Sequence, residues 1–263
     1  MRSMLFVPAD KLDLLAKVPR WQPDAVAVDL EDAVAVPGKD AARAGLANHP
    51  LDAGGATVLV RVNAPGTPWF DDDLDAALRS GAAGVIVPKA EDASVLAAVR
   101  ERTQGRILMA GIESALGVVN ARELFAHADT GFFGAEDFIA DMGGRRSPGS
   151  LEVLYARSQT VLAARLAGIP LLDQVVTAIG DAEAFRADAV DGRNLGFTGK
   201  ICIHPSQVAL AHEVFTPSAP EVERAKRVLE AESAGVAVVD GEMVDAVHLK
   251  LARQVLARAG ENA

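Results

Sequence analysis

Eight short apolar runs, each of strand length, recur in strict alternation with longer amphipathic segments. They are Met4–Val7, Ala25–Leu30, Thr57–Val62, Gly84–Val87, Ile107–Gly111, Gly131–Phe133, Leu171–Val176 and Gly199–Ile203. Most are continuous rather than alternating, the pattern of parallel strands covered on both faces. The segments between them carry helical spacing, as in Leu151, Leu154, Val161, Leu162 and Leu166, with Gly168 as C-cap and Pro170 just beyond. This order predicts an α/β fold, a (β/α)8 TIM barrel, for which 263 residues is an ordinary length. An open doubly wound sheet is the alternative, weakened because no G-x-G-x-x-G follows the first run.

The pattern changes after the eighth strand. Pro220–Ala231 has Val222, Ala225, Val228 and Leu229 on one helical face. Gly235–Asp240 and Gly241–Val244 read as a short strand and turn, and Val247–Ala259 as a final helix. The expected division is a catalytic barrel over residues 1–215 and a C-terminal helical extension over 216–263. That extension is either a packing appendage or a lid over the barrel mouth.

Bulk properties remove several classes of function. A formal net charge of −10 without a Lys/Arg stripe argues against nucleic acid as a partner. Cys202 is the only cysteine, so neither an internal disulfide nor a Cys-rich metal site can form. No apolar run approaches the ~20 residues that cross a bilayer, so no membrane partner is expected and a cytoplasmic location is the default.

The predicted strands end in ionisable or polar residues: Asp29-Leu30-Glu31-Asp32, Arg61 with Asn63, Pro88-Lys89, Glu113-Ser114, Glu136-Asp137, Asp173, and His204-Pro205. In a barrel these ends converge on one mouth, where such enzymes do their chemistry. Glu113 and Asp137 end adjacent strands and are the best candidates for ligands of Mg2+, which takes hard oxygen donors and keeps waters. The competing reading makes them caps of the following helices. Arg61 could stand as a fixed planar cation against an enolate or carboxylate, or form a structural ion pair with Asp29 or Glu31. Glycines 111, 117, 131 and 134 leave room for a close approach or for tight turns.

Read in order, these pieces resemble the HpcH/HpaI aldolase / citrate lyase family, in its citrate-lyase beta-subunit-like branch. The resemblance runs nearly end to end. It is carried by Arg2–Pro8, Asp29–Val34 with Lys39 and Arg43, Val60–Asn63, Val87–Lys89, Ile112–Val118, Phe133–Asp137, Gly196–Lys200, Ile203–Gln207 and Gly241–Asp245. It implies a Mg2+-dependent lyase that cleaves or forms 3-hydroxyacyl-CoA thioesters such as malyl-, citramalyl- or citryl-CoA, with a 2-oxo acid as the second product. It further implies Glu113 and Asp137 as metal ligands and Arg61 as the cation at the reacting carbonyl. Asp245 would act as acid or base in a neighbouring subunit, making the protein a homo-oligomer, a trimer or hexamer. Val247 departs from the relatives, which often carry proline there.

Under this reading Glu31 and Asp32 order metal-bound water and substrate, and Lys89 and Lys200 are candidate contacts for the CoA phosphates. The basic loop Gly143–Ser147 either touches nucleotide or is solvated. His49, His127, His212 and His248 lack metal-ligand spacing, His204 fixes a turn before Pro205, and Cys202 is buried and inert. The alternatives are a CoA-independent aldolase releasing pyruvate, a non-catalytic scaffolding barrel, and a citrate lyase subunit that needs an acyl-carrier partner.

Overall fold

The computed structural model describes residues 1–231 and 236–260. Eight parallel strands close into a barrel in sequence order. They are β1 (Ser3–Pro8), β2 (Ala25–Asp29), β3 (Thr57–Arg61), β4 (Gly84–Val87), β5 (Ile107–Ile112), β6 (Thr130–Phe133), β7 (Leu171–Asp173) and β8 (Gly199–Cys202). Around them run α1 (Lys39–Gly45), α2 (Phe70–Arg79), α3 (Ala93–Thr103), α4 (Ala115–Phe125), α5 (Ala135–Asp141), α6 (Leu154–Ala167), α7 (Ala182–Leu195) and α8 (Ser206–Phe215). A 3-10 segment, Ala9–Arg20, stands where a first barrel helix would be. All eight predicted strands form, and the open-sheet alternative is excluded by closure between β8 and β1.

Strand side chains alternate between the barrel interior and the surrounding helices. The interior is packed by Met4, Ala25, Ala27, Leu59, Ile86, Met109, Phe132, Leu172 and Ile201. Continuing that inward phase by two residues reaches Asp29 on β2, Arg61 on β3 and, four beyond Met109, Glu113. The same alternation therefore fills the barrel with hydrocarbon below and sets charge at its C-terminal mouth.

Lys200 and Asp173 have the opposite phase, since Leu172 and Ile201 point inward. Both are fully buried. Lys200 Nζ contacts Asp173 Oδ2 at 3.1 Å and also pairs with Asp188 of α7. Arg157 of α6 grips Asp173 through Nε at 3.1 Å and Nη2 at 2.6 Å. This corrects two sequence expectations: Lys200 has no path to CoA phosphates, and Asp173 belongs to a buried ion cluster rather than the mouth. Arg157→Met leaves Asp173 buried with reduced compensation and is expected to cost about 3–5 kcal/mol. At roughly 2–4 °C per kcal/mol, the melting temperature should fall by about 10 °C, measurable by calorimetry.

One further expectation is revised. β7 stops at Asp173, because Gln174 turns away to donate to Asp188 Oδ1 (2.8 Å) and Ser150 Oγ (3.2 Å). The helix read from Leu151, Leu154, Val161, Leu162 and Leu166 forms as α6 with Gly168 at its C-cap, and it buries Ala156, Arg157, Thr160, Ala163 and Ala164. Leu151, Leu154, Leu162 and Leu166 face solvent.

The chain divides into Met1–His212 and Glu213–Ala263. The second unit contains α9 (Ala219–Glu230), an antiparallel pair β9 (Ala237–Val239) and β10 (Glu242–Val244), and α10 (Ala246–Ala259). Its own core joins Val222, Ala225, Val228, Val239, Val244, Ala252 and Leu256. Gly235, the first residue of the predicted short strand, lies outside the described residues. No described helix is long and apolar enough to cross a membrane.

Candidate active site

The mouth is organised around Arg61. In the parallel ladder Arg61 and Asp29 are register partners on adjacent strands. Their side chains form a two-point ion pair, Nε to Oδ1 and Nη2 to Oδ2, both at 2.7 Å. Nη1 lies 3.0 Å from Glu31 Oε2, and the Phe6 ring supports the guanidinium with its centroid 4.8 Å from Cζ. Burial works against the charged form, but Asp29, Glu31 and Glu113 outweigh it and hold the Arg61 pKa above its usual range. Of the two sequence readings, the ion pair is the one the structure shows; Arg61 also lines the mouth cavity.

Glu113 follows β5 as a buried side chain. Ser114, not Glu113, caps α4, accepting from the Gly117 N–H at 3.1 Å. Asp137 lies in the first turn of α5, whose N-cap residue is Gly134. Neither carboxylate is thus spent as an N-cap. Two of the glycines noted in the sequence make room for Glu113: a Cβ at Gly111 would lie 2.4 Å from its Oε1, and one at Gly134 2.8 Å from its Cγ. Gly117 and Gly131 instead admit the Ala90 carbonyl and the Phe125 ring. Gly134→Ala should therefore displace Glu113 and weaken Mg2+ binding about 10–100-fold, the range for lost supporting contacts, as read by calorimetric titration.

Lys89 is the second cation. It adopts a left-handed backbone with φ of 47°, a conformation that costs a non-glycine residue about 1–3 kcal/mol. Its N–H donates to Glu113 Oε1 at 3.3 Å. Its Nζ donates to Glu31 Oε1 at 2.8 Å and lies 3.3 Å from Asp137 Oδ1 and 3.8 Å from Asp32 Oδ2. Burial opposes the ammonium, but Glu31, Asp32 and Asp137 raise its pKa. Lys89 thus ties together Glu31, Asp32, Glu113 and Asp137.

A cavity of about 180 Å3 opens here, lined by Phe6, Asp32, Arg61, Glu113, Glu136 and Asp137 among others. Six carboxylates (Asp29, Glu31, Asp32, Glu113, Glu136, Asp137) face three cations (Arg61, Lys89, Arg146), a surplus of negative charge. Burial, reinforced by Glu31 and Asp137 and only partly offset by Arg61, pushes the Glu113 carboxyl up to about 8. Burial also raises Glu31, whose Oε2 has no hydrogen-bond partner despite its ion pair with Arg61. Surplus negative charge and hard oxygen donors fit a divalent cation on Glu113 and Asp137. Among the described residues no group of three or more His, Cys, Asp or Glu forms a ready-made cage. Two carboxylates leave the remaining positions to water and substrate, the usual Mg2+ arrangement.

The structure also shows supports that the sequence reading passed over. Lys39 Nζ donates to the Leu30 and Glu31 carbonyls at 2.9 and 2.7 Å, fixing the loop that carries Glu31. Asn63 donates to the Leu30 carbonyl and to buried Asp73. Arg146, in the basic loop, links Glu136 (3.2 Å) to Gln174 (3.2 Å). The signal for Phe6 was its place on β1, two residues beyond inward-facing Met4. His204 Nδ1 sits 2.8 Å from Ser206 Oγ in a turn, and Cys202 is buried, its thiol pushed up to about 12 by desolvation. Asp245 caps α10, accepting from Val247 N–H at 2.9 Å and lying 2.8 Å from His248 Nδ1. That contact, with the helix N–H groups, lowers its pKa.

Fold and mouth fit a TIM-barrel carbon–carbon lyase, and comparison with known proteins gives that class. Residues 2–205 match the HpcH/HpaI aldolase/citrate lyase model, and residues 159–261 match a C–C bond lyase model of the TIM-barrel fold. A citrate lyase subunit beta-like protein of Deinococcus radiodurans is 47% identical over 97% of this chain and 96% of its own. A (3S)-malyl-CoA thioesterase of Cereibacter sphaeroides is 39% identical over 98% and 94%. The protein CitE of Mycobacterium tuberculosis, in complex with magnesium, acetoacetate and coenzyme A, superposes with a TM-score of 0.88. It is 37% identical, covering 99% of this chain and 98% of that one. The chain belongs to the HpcH/HpaI aldolase/citrate lyase family.

Proposed function

We propose that this lyase cleaves, or in reverse forms, a 3-hydroxyacyl-CoA thioester, giving an acyl-CoA and a 2-oxo acid with Mg2+ as cofactor. The observation that carries this is the meeting of Glu113, Asp137 and Arg61 around one cavity at the C-terminal mouth. The magnesium and coenzyme A of the Mycobacterium complex support it.

Glu113 and Asp137 would hold the ion, which when bound acidifies a substrate hydroxyl and stabilises the forming 2-oxo acid. Arg61, pre-set by Asp29 and Phe6, offers its remaining N–H groups to the enolate oxygen of the departing acyl-CoA. A preorganised donor of this kind contributes about 3 kcal/mol to the transition state. Lys89 holds Glu31 and Asp32 in place, where they order water and substrate. Asp245, an ionised carboxylate beside His248, is the group this reading assigns to accept the hydroxyl proton. In this reading it serves a neighbouring copy in a homo-oligomer.

The test is a panel of 3-hydroxyacyl-CoAs with and without Mg2+, with products identified by mass spectrometry. An acyl-CoA plus a 2-oxo acid, formed only with the metal, is the expected result. Free CoA plus an intact hydroxy acid would instead indicate hydrolysis, the activity named for the Cereibacter relative. Turnover of free 4-hydroxy-2-oxo acids alone would indicate the CoA-independent aldolase.

A further inference from the structure

Glu136 lines the mouth cavity on the first turn of α5, one residue before Asp137. Its partner is Arg146, whose Nε lies 3.2 Å from Glu136 Oε1. The same guanidinium donates through Nη1 to Gln174 Oε1 at 3.2 Å and to Glu152 Oε1 at 3.4 Å. Gln174 is fully buried and cannot follow a moving partner. Its Nε2 donates to Asp188 Oδ1 and Ser150 Oγ, and Asp188 is gripped in turn by Lys200 and Arg157. Glu152 is likewise tied down, accepting from the Ser147 hydroxyl. Arg146 thus stands on the buried ion cluster and extends to a carboxylate at the mouth. Of its two carboxylate partners Glu136 is the freer, its side chain 45% exposed against 20% for Glu152.

We infer that Arg146 is a positioning residue: it clamps Glu136 at the cavity edge and cancels its charge, keeping that carboxylate off the cation and the substrate. The planar guanidinium suits the task, because Nε and Nη1 reach two acceptors at a fixed angle, which a lysine ammonium on its flexible stem does not. Without the clamp, Glu136 becomes a mobile, uncompensated carboxylate beside Asp137. One more negative charge at the mouth attracts a divalent cation and repels the carboxylate of a 2-oxo acid. Loss of Arg146 therefore moves the two affinities in opposite directions, whereas simple damage to the loop would weaken both. The inference rests on the Mg2+ site and the 2-oxo acid of the proposed function, and adds the residue that balances charge between them.

The experiment is calorimetric titration of the full chain, first with Mg2+ alone and then with pyruvate at saturating Mg2+. Wild type is compared with Arg146→Gln, Glu136→Gln and the double variant. Arg146→Gln should bind Mg2+ about 3–10-fold tighter and pyruvate about 3–10-fold more weakly, the scale of one added charge in a partly wet cleft. Glu136→Gln should shift both constants the other way, and the double variant should return both to near wild type. High salt should shrink every one of these differences. Arg146→Lys, which keeps the charge but not the two-point reach, should fall between wild type and Arg146→Gln. Should Arg146→Gln fail to fold, Glu136→Gln still tests the two opposite signs. Weakening of both ligands in Arg146→Gln that the double variant does not restore overturns the clamp, as do unchanged constants. A wild type that binds Mg2+ but not pyruvate overturns the 2-oxo acid reading, and the Mg2+ constants alone then decide the clamp.

Discussion

Replacing Arg61 with alanine is expected to lower kcat by about 10^2–10^3-fold, the usual cost of removing one preorganised donor from a developing oxyanion. The same change strips Asp29 and Glu31 of their counter-charge. With Asp29 1% and Glu31 5% exposed, the fold should also lose about 3–5 kcal/mol. Arg61→Lys keeps the charge but not the planar two-point grip on Asp29, so it should recover part of the stability and little of the rate. Mg2+ affinity separates this effect from damage to the metal site. Removing a cation from the mouth leaves more negative charge, so affinity in Arg61→Ala should hold or rise. Steady-state kinetics, thermal unfolding and metal titration on the same three proteins check the set.

The second large effect concerns protons at Glu113. In the metal-free protein its carboxyl, raised to about 8, keeps its proton at neutral pH, whereas a metal ligand must be ionised. Binding of Mg2+ at pH 7 should then release close to one proton. Apparent affinity should climb about tenfold per pH unit up to about 8 and level off above. Isothermal titration in buffers of different ionisation enthalpy counts that proton directly. For stability the sign is opposite to that of a salt-bridged carboxylate. The folded state holds the proton and the unfolded state does not between the ordinary 4.5 and about 8, so metal-free stability should fall as pH rises through that window. The size is on the order of a few kcal/mol, and saturating Mg2+ should remove it. Glu113→Ala should abolish the proton release and weaken Mg2+ binding by more than the ~10–100-fold cost of losing a supporting contact.

The barrel was readable because parallel strands buried on both faces leave continuous apolar runs, and each of the eight did so. The polar strand ends were readable too, since in this fold they can only gather at one mouth. Their division into inward and outward sets was not used, although the period of two carries it. Counting from Leu172 and Ile201 separates Asp173 and Lys200 from Asp29, Arg61 and Glu113. The α6 stripe marked the helix correctly but not its buried face. A helix lying close on barrel strands buries small residues, here Ala156, Thr160, Ala163 and Ala164. Its largest apolar side chains, Leu154, Tyr155, Leu162 and Leu166, turn outward. The left-handed backbone of Lys89 and the capping box of Asp245 with His248 depend on three-dimensional partners, and no spacing rule announces them.

The central claim is that Glu113 and Asp137 together hold one divalent cation at the mouth. Crystals grown with Mn2+ in place of Mg2+ test it through the anomalous difference map. The account predicts a single strong peak with carboxylate oxygens of both residues within roughly 2.0–2.3 Å. A peak bound by other carboxylates, or none at saturating Mn2+, would contradict it.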